Sequence, residues 1–369
     1  MSMKHLHEYR DAEIAKKLIN AIHSLKPRPM RFMEVCGTHT MSIFRHGIPA
    51  LLPPWIELLS GPGCPVCVTA LKDIDTFVSL SREKDVISAT FGDLMRVPGS
   101  ESSLGAQKAE GRDVRVVYSV FDALVTAREN PDRAVVFNAV GFETTAPTIA
   151  SALLTAEEEG ISNFSIHSAH KMTPPALAAL LDSPLVNIDG FLLPGHVSVI
   201  TGTDGYRAVF DRYRVPSVIA GFEPVDILRA IYMLALQNLS GEPKLENAYE
   251  RAVSPRGNPK AREIMTRIFA PADAMWRGIG TIPASGMVLK QEYDRFDACK
   301  RYGIRVEETP EPSGCACGDI LMGIKKPVQC PMFGKGCTPV HPAGPCMVSG
   351  EGACAAYYRY MGDGESKKL

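Results

Sequence analysis

Eight strand-length apolar runs punctuate the chain between Arg31 and Ile219, with helix-like segments between most of them. The runs are Arg31–Val35, Ile56–Leu59, Val86–Thr90, Val114–Tyr118, Ala134–Phe137, Phe164–His167, Gly190–Leu193 and Ser217–Ile219. The intervening segments include Ala70–Ser81, Ala146–Glu159, Pro175–Leu181, Val199–Tyr213 and Pro224–Leu239. A leading helix is expected over residues 8–25, where Ile14, Leu18, Ile22 and Leu25 recur at helical spacing. Alternating strands and helices imply parallel sheets covered on both faces. The 369 residues exceed the roughly 250–300 that one core usually serves. The expected fold is therefore α/β, with two parallel-sheet lobes around a cleft and a third, helical and loop-rich domain. The lobes are placed at 27–130 and 131–240, divided near Asn130-Pro131-Asp132-Arg133, and the third domain takes 1–26 with 241–369.

Two shorter features bear on this division. Gly141-Phe142-Glu143 is echoed by Gly221-Phe222-Glu223, either by chance among 31 glycines or as strand-to-helix corners in related lobes. Beyond Gly241 the pattern changes. Residues 242–300 look helical, broken at Pro255, Pro259, Pro271 and Pro283. Thr309–Cys346 then holds seven prolines and six glycines among 38 residues, which disfavours regular elements. Such a segment needs a staple.

Charge and motifs exclude several classes. Forty Lys+Arg balance forty-one Asp+Glu, so there is no basic nucleic-acid footprint. No uncharged stretch reaches the roughly 18 residues of a membrane helix, and Met1–Arg10 contains no apolar signal core. A cytoplasmic protein is expected. The G-x-x-x-x-G-K-[ST] loop, the G-x-S-x-G elbow and H-E-x-x-H are all absent from the sequence.

Ten cysteines in a reducing compartment then point to metal or redox chemistry. Cys36 follows the first run, in Cys36-Gly37-Thr38-His39-Thr40. Cys64 and Cys67 follow the second, in Gly61-Pro62-Gly63-Cys64-Pro65-Val66-Cys67. Loops after neighbouring parallel strands share one sheet edge, where α/β folds bind ligands. Three sulfurs converging there, near helix starts expected at Thr38 and Thr69 that favour thiolates, suit iron. A redox disulfide at Cys64-x-x-Cys67, or inert buried thiols, are the other readings. His39 and Thr40 are candidate ligands or hydrogen-bond supports, and for His39 a purely structural role stands equally. Cys299, in the helix-like Glu292–Tyr302, reads as a bystander. The remaining six are Cys315, Cys317, Cys330, Cys337, Cys346 and Cys354. Their spacing does not match paired zinc knuckles. Four ligands plus a two-thiol pair is the economical partition, with a structural zinc site as the alternative.

Five motifs in order resemble the [NiFe]-hydrogenase maturation protein HypD family over nearly the whole length. They are the two early cysteine motifs, Gly141-Phe142-Glu143-Thr144-Thr145-Ala146-Pro147, Leu193-Pro194-Gly195-His196-Val197, and the block from Cys315-Ala316-Cys317-Gly318-Asp319 to Gly350-Glu351-Gly352-Ala353-Cys354. The resemblance implies a scaffold with redox activity, rather than a conventional turnover enzyme, on which the Fe(CN)2CO centre is assembled. The implied partners are the chaperone HypC, which brings a cysteine ligand, and HypE, which carries cyanide as a thiocyanate made from HypF's carbamoyl precursor. An electron donor such as ferredoxin is a further expected partner. By resemblance, Cys36, Cys64 and Cys67 fall on the iron-scaffold positions. The late cysteines resemble the cluster environment of ferredoxin:thioredoxin reductase, a [4Fe-4S] centre beside a disulfide, although that pattern has three Cys-x-Cys pairs and this chain one. On that likeness Cys315, Cys330, Cys337 and Cys354 are expected to bind a [4Fe-4S] cluster, and Cys317 with Cys346 to form a redox pair. An extended Cys315-x-Cys317 would turn its two sulfurs opposite ways. The expected reactive set is thus Cys36, Cys64, Cys67, Cys317, Cys346 and His39. Thr38, Thr40, Glu143, Thr144, Thr145 and His196 are candidates to line the cleft. A ferredoxin-linked thiol–disulfide reductase is the alternative function.

Overall fold

The computed structural model describes residues 7–361 except 308 and 312. Residues 1–6, part of the N-terminal reading, and 362–369, the end of the expected third domain, lie outside the described residues.

All eight apolar runs are strands: β1 (Met30–Glu34), β2 (Ile56–Ser60), β3 (Val86–Thr90), β4 (Val114–Val116), β5 (Ala134–Ala139), β6 (Phe164–Ser168), β7 (Gly190–Pro194) and β8 (Ser217–Ala220). Three more follow: β9 (Leu245–Asn247), β10 (Phe269–Trp276) and β11 (Gly280–Leu289). One sheet has the order β2-β1-β7-β8-β9 and another β4-β3-β5-β6. Every pairing within these two sheets is parallel. The fold is α/β with two parallel lobes, as expected.

The sheets do not follow a division at residue 130. β1 and β2 pair with β7–β9 in the five-stranded sheet, while β3–β6 form the four-stranded sheet. The second lobe is thus inserted into the first. Each strand's own composition looks the same whichever sheet it joins, so the crossing after β2 and the return at β7 leave no local mark. The Gly-Phe-Glu echo does mark related corners. Gly141–Glu143 follows β5 in one sheet and Gly221–Glu223 follows β8 in the other, each leading into a helix, Ala146–Glu158 and Pro224–Ser240.

Two other expectations need correction. Val199–Tyr213 is not one helix but Gly195–Thr201, a 3₁₀ turn Thr203–Tyr206, and Arg207–Tyr213. The break lies at Gly202, with φ of 71°, where a Cβ would stand 2.1 Å from the Pro255 carbonyl oxygen. Residues 242–300 are not helical throughout, because β10 and β11 form an antiparallel hairpin. Pro271 and Pro283 fit there because each strand of a two-stranded ribbon keeps one free edge.

Strand alternation divides the five-stranded sheet's core. Phe32, Leu192 and Val218 face helix Pro224–Ser240 through Ile227, Ile231 and Leu234. Met33, Leu193 and Ile219 belong to the opposite cluster, which includes Ile320, Leu321, Met347 and seven buried cysteines. The cysteine-rich segment therefore covers part of this face, beside helices Thr173–Asp182 and Gly195–Thr201. Among the described residues no helix is long and apolar enough to cross a membrane.

Candidate functional site

β1 and β2 pair in register up to Glu34 opposite Ser60, so the loops carrying the early cysteines leave the sheet side by side. Backbone bonds lock them together: Gly61 N donates to Glu34 O at 2.8 Å and Gly37 N to Gly63 O at 3.0 Å. A Cβ on Gly63 would lie 2.0 Å from the Cys36 nitrogen, so glycine alone allows this approach. Cys36 caps helix Gly37–Arg45, and Cys64 caps the turn Pro65–Val68, its sulfur accepting from Cys67 N at 3.2 Å. Helix starts thus lie slightly before the expected Thr38, and the Thr69 start resolves into this turn followed by Leu71–Arg82. Cys64 and Cys67 form a disulfide across a Cα separation of 5.2 Å. Cys36 remains a buried free thiol.

The helix start does not make Cys36 a thiolate. Burial pushes its thiol up to about 12, Glu351 and Glu34 add to this, and the N–H groups of His39 and Thr38 pull the other way without prevailing. Desolvation of the charged form wins, so the thiol is protonated at neutral pH. Glu34, absent from the sequence-derived site, lies beneath it. Its carboxyl accepts from Cys36 N at 3.0 Å and from the Thr40 hydroxyl. Burial raises it to about 8, against those bonds and one from Ser60. Thr40 therefore faces Glu34.

His39 is fully buried and donates from Nε2 to Gly221 O at 2.9 Å, which fixes its tautomer and leaves Nδ1 without a partner. Burial lowers it to about 4, so the ring is neutral. Thr38 donates to Glu351 Oε1 at 2.7 Å. A Cβ on Gly37 would stand 2.5 Å from Glu351 Cβ, so the loop between Cys346 and Cys354 presses on the Cys36 loop. Glu351 was legible only as part of a motif. It makes a direct bond between the early and late cysteine segments.

From the second lobe, Glu143 is buried and accepts from Thr173 N at 2.9 Å and Thr173 Oγ1 at 3.1 Å. Burial raises it to about 7 against these bonds. Tyr206, also missed, is buried, and its phenol oxygen accepts from Ser198 Oγ at 3.3 Å. Thr145 donates to the Phe142 carbonyl at 3.2 Å, a local turn bond, and Thr144 is half-buried. His196 is exposed and stacks on Phe222 at 4.0 Å, with Phe222 also 4.9 Å from His39.

The six late cysteines line one small pocket with Ile320, Met332, Phe333 and Met347. Cys315-x-Cys317 is not extended. Ala316 has ψ of 29° and Cys317 begins a helical turn to Leu321, so both sulfurs face the cavity. Cys317 and Cys346 lie with their sulfurs 3.3 Å apart. Cys346 sits on the turn Pro345–Val348, next to Pro65–Val68. Cys337 accepts from Ala343 N at 3.3 Å.

The β10–β11 hairpin joins the two groups. Arg277 at its tip donates its N–H to Val68 O at 3.0 Å, and Gly278 packs against Gly318 so closely that a Cβ on either would collide with the other. The Arg277 guanidinium is buried, pairs with Glu311 at 2.9 Å, and leaves Nη1 without a partner. The neighbouring thiols and burial hold Cys315, Cys317 and Cys346 above the usual cysteine range, and the Arg277 charge opposes this without prevailing. Six soft donors, an apolar wall and an orphaned guanidinium N–H suit a thiolate-ligated, net anionic iron–sulfur group. Among the described residues no three His, Cys, Asp or Glu side chains stand together as a site for one metal ion. With Cys64 and Cys67 joined, Cys36 is the one free thiol of the early three.

The family described as "Hydrogenase formation hypA family" (HypD) matches residues 13–361. The chain is 47% identical to hydrogenase maturation factor HypD2 of Bradyrhizobium diazoefficiens, covering 97% of each chain. It is 45% identical to hydrogenase maturation factor HypD of Rhizobium leguminosarum bv. viciae, covering 97% of this chain and 96% of the relative. It is 44% identical to hydrogenase maturation factor HypD of Escherichia coli, covering 97% of this chain and 98% of the relative.

Proposed function

Because this chain belongs to the HypD family of hydrogenase maturation factors, we propose that it is the scaffold on which the Fe(CN)2CO centre of [NiFe] hydrogenase is built, working with HypC and HypE. The observation that carries the reading is the contact between two cysteine pairs. Cys64–Cys67 and the Cys317–Cys346 pair lie in one continuous buried cluster, with the turn bearing Cys346 set against the turn bearing Cys64 and Cys67.

The iron fragment is cargo. Cys36 is its first anchor: a neutral buried thiol that gives up its proton as iron binds. Cys64 and Cys67 can add ligands only after their disulfide is reduced. Removing cyanide from a thiocyanate takes two electrons, and the Cys64/Cys67 dithiol holds two, released as it closes to the disulfide. A [4Fe-4S] cluster on Cys315, Cys330, Cys337 and Cys354 would supply one-electron equivalents. Cys317 and Cys346 form the exchanging pair between that cavity and Cys64–Cys67, with the Arg277 charge offsetting part of the cost of ionising them. Glu34 fixes the Cys36 loop by accepting from Cys36 N and the Thr40 hydroxyl. Ferredoxin is the proposed class of electron donor, and the cytoplasm the proposed compartment.

The test is an anaerobic preparation with iron and sulfide counts and infrared spectra in the cyanide and carbonyl region. Cys36→Ala should keep the fold and abolish hydrogenase maturation. Cys317→Ser and Cys346→Ser should keep the iron content and lose maturation. A fully active Cys36→Ala protein refutes the scaffold. Steady turnover of a soluble disulfide with a reduced donor, without iron at the early site, would favour a thiol–disulfide reductase instead.

A further inference from the structure

Outside both cysteine groups, three side chains from separate elements form a hydrogen-bonded line. Cys299, half-buried on helix Ala298–Tyr302, has its sulfur 3.1 Å from His167 Nδ1. His167, on β6, lies with Nε2 3.3 Å from Asp73 Oδ1. Asp73, in the first turn of helix Leu71–Arg82, accepts from the buried Lys171 ammonium at 3.2 Å on its other oxygen. The arrangement is fixed from several sides. Ile166 bridges to Asp297, Asp297 caps the Cys299 helix through Lys300 N at 3.0 Å, and the Phe77 ring meets His167 edge-on at 5.4 Å. Thiol, imidazole and carboxylate in this order are the parts of an activated nucleophile: the carboxylate orients the ring and the ring holds the thiol's proton.

We propose that Cys299 is a third thiol centre, a reactive thiolate that exchanges with small disulfides, with His167 and Asp73 as its positioning residues. The Cys299 thiolate attacks one sulfur of a disulfide RS–SR. A Cys299–SR bond forms, the RS–SR bond breaks, and RS⁻ leaves with the electron pair. The imidazolium proton stays on His167 or passes to the departing RS⁻.

The surrounding groups favour a protonated His167. Burial opposes a charged His167, but its bonds to Asp73 and Cys299 and their negative charges raise it to about 10. The other titratable neighbours are Lys171, paired with Asp73, and His170, which burial lowers to about 3 and leaves neutral. Leu80, Val86, Val136 and Ile304 bring no charge to the Cys299 environment, and the Tyr302 phenol in the same cluster is pushed up by burial and stays neutral. The inference does not depend on the scaffold reading, since neither Cys299 nor His167 touches the cysteine cavity.

The experiment uses the full, anaerobically purified protein and bis(2-hydroxyethyl) disulfide, with iodoacetamide as an independent probe. Modification is followed on the tryptic peptide Phe296–Lys300 by mass spectrometry from pH 6 to pH 9. An ordinary thiol is less than about 1% ionised at pH 6. Allowing for the lower nucleophilicity of a more acidic thiolate, Cys299 should react at pH 6 roughly tenfold or more faster than the same peptide in urea. Its rate should stay nearly flat to pH 8. His167→Gln and Asp73→Asn should restore an ordinary profile, rising about tenfold per pH unit below pH 8. The wild-type profile decides even if a variant fails to fold. A wild-type rate that climbs like a free thiol, no modification of the folded protein, or a flat profile retained in folded His167→Gln overturns the proposal.

Discussion

Replacing Gly63 with Ala puts a methyl carbon into the backbone of the neighbouring loop. Its Cβ would stand 2.0 Å from the Cys36 nitrogen and 2.2 Å from the Val35 carbonyl carbon. Ordinary contact begins near 3.4 Å, so the loops must part by about 1.4 Å. Neither colliding group is a flexible side-chain end. Overpacking of this kind costs about 1–3 kcal/mol. Separation also stretches the Gly37 N to Gly63 O bond, whose loss adds about 1 kcal/mol. A total near 3 kcal/mol is a large share of the roughly 5–15 kcal/mol that holds a typical protein folded. At about 2–4 °C per kcal/mol for a lobe of this size, Tm should fall by roughly 10 °C. The same parting separates Cys36 from Cys64, so hydrogenase maturation should be lost at temperatures where Gly63→Ala is still folded. The assays are a thermal melt of the anaerobic protein and hydrogenase activity in a strain carrying only the variant. Gly92→Ala is the control, because the nearest atom to its new Cβ is Val116 Cγ1 at 3.7 Å. It should leave both readouts unchanged. A Gly63→Ala protein with wild-type Tm and full maturation would refute the claim that these loops must touch.

Other substitutions probe the buried charges. Glu34 has a folded value near 8, above the usual 4.5, so the native state holds a proton that the unfolded chain gives up. Stability should therefore be greatest below about pH 4.5 and decline, by an amount on the order of a few kcal/mol, as pH rises to about 8; urea melts of Glu34→Gln should lack this component of the slope, and an unchanged pH dependence would place the carboxyl in water. Asp226 is buried beneath Arg251, accepting at 2.7 Å from Nη1, and also accepts from Glu223 N at 3.2 Å to cap helix Pro224–Ser240. Removing its charge in Asp226→Ala leaves the guanidinium unpaired, which should cost about 3–5 kcal/mol in chemical denaturation, and a loss below 1 kcal/mol would show that solvent reaches the pair. Gly318→Ala would set a Cβ 2.1 Å from the Gly278 carbonyl oxygen and should detach the hairpin tip, lowering the reactivity of Cys317 and Cys346 toward alkylating agents as Arg277 withdraws.

What the linear chain carries is local. Each of the eight strands is a short apolar run whose boundaries depend on its own residues, and the observed strands start and stop within two residues of those runs. The cysteine motifs are local as well, and they sufficed to point to the family. The partners are not local. A strand such as Val86–Thr90 is buried on both faces in any parallel sheet, so nothing in it records that β3 pairs with β4 and β5 while β2 pairs with β1. The β10–β11 hairpin was missed for a related reason: Phe269–Trp276 alternates among Ala, Pro and Met, a weak strand signal that cross-strand pairing with Gly280–Leu289 completes. The chemistry divides in the same way. A cysteine at a helix start suggests a thiolate, and the N–H groups of His39 and Thr38 do pull the Cys36 thiol down, but burial, with Glu351 and Glu34, outweighs them. In the same way Cys299, unremarkable beside its sequence neighbours, becomes a candidate nucleophile only because β6 and helix Leu71–Arg82 bring His167 and Asp73 to it. Protonation depends on which charges and how much water surround a group in space, and residues distant in the chain supply both.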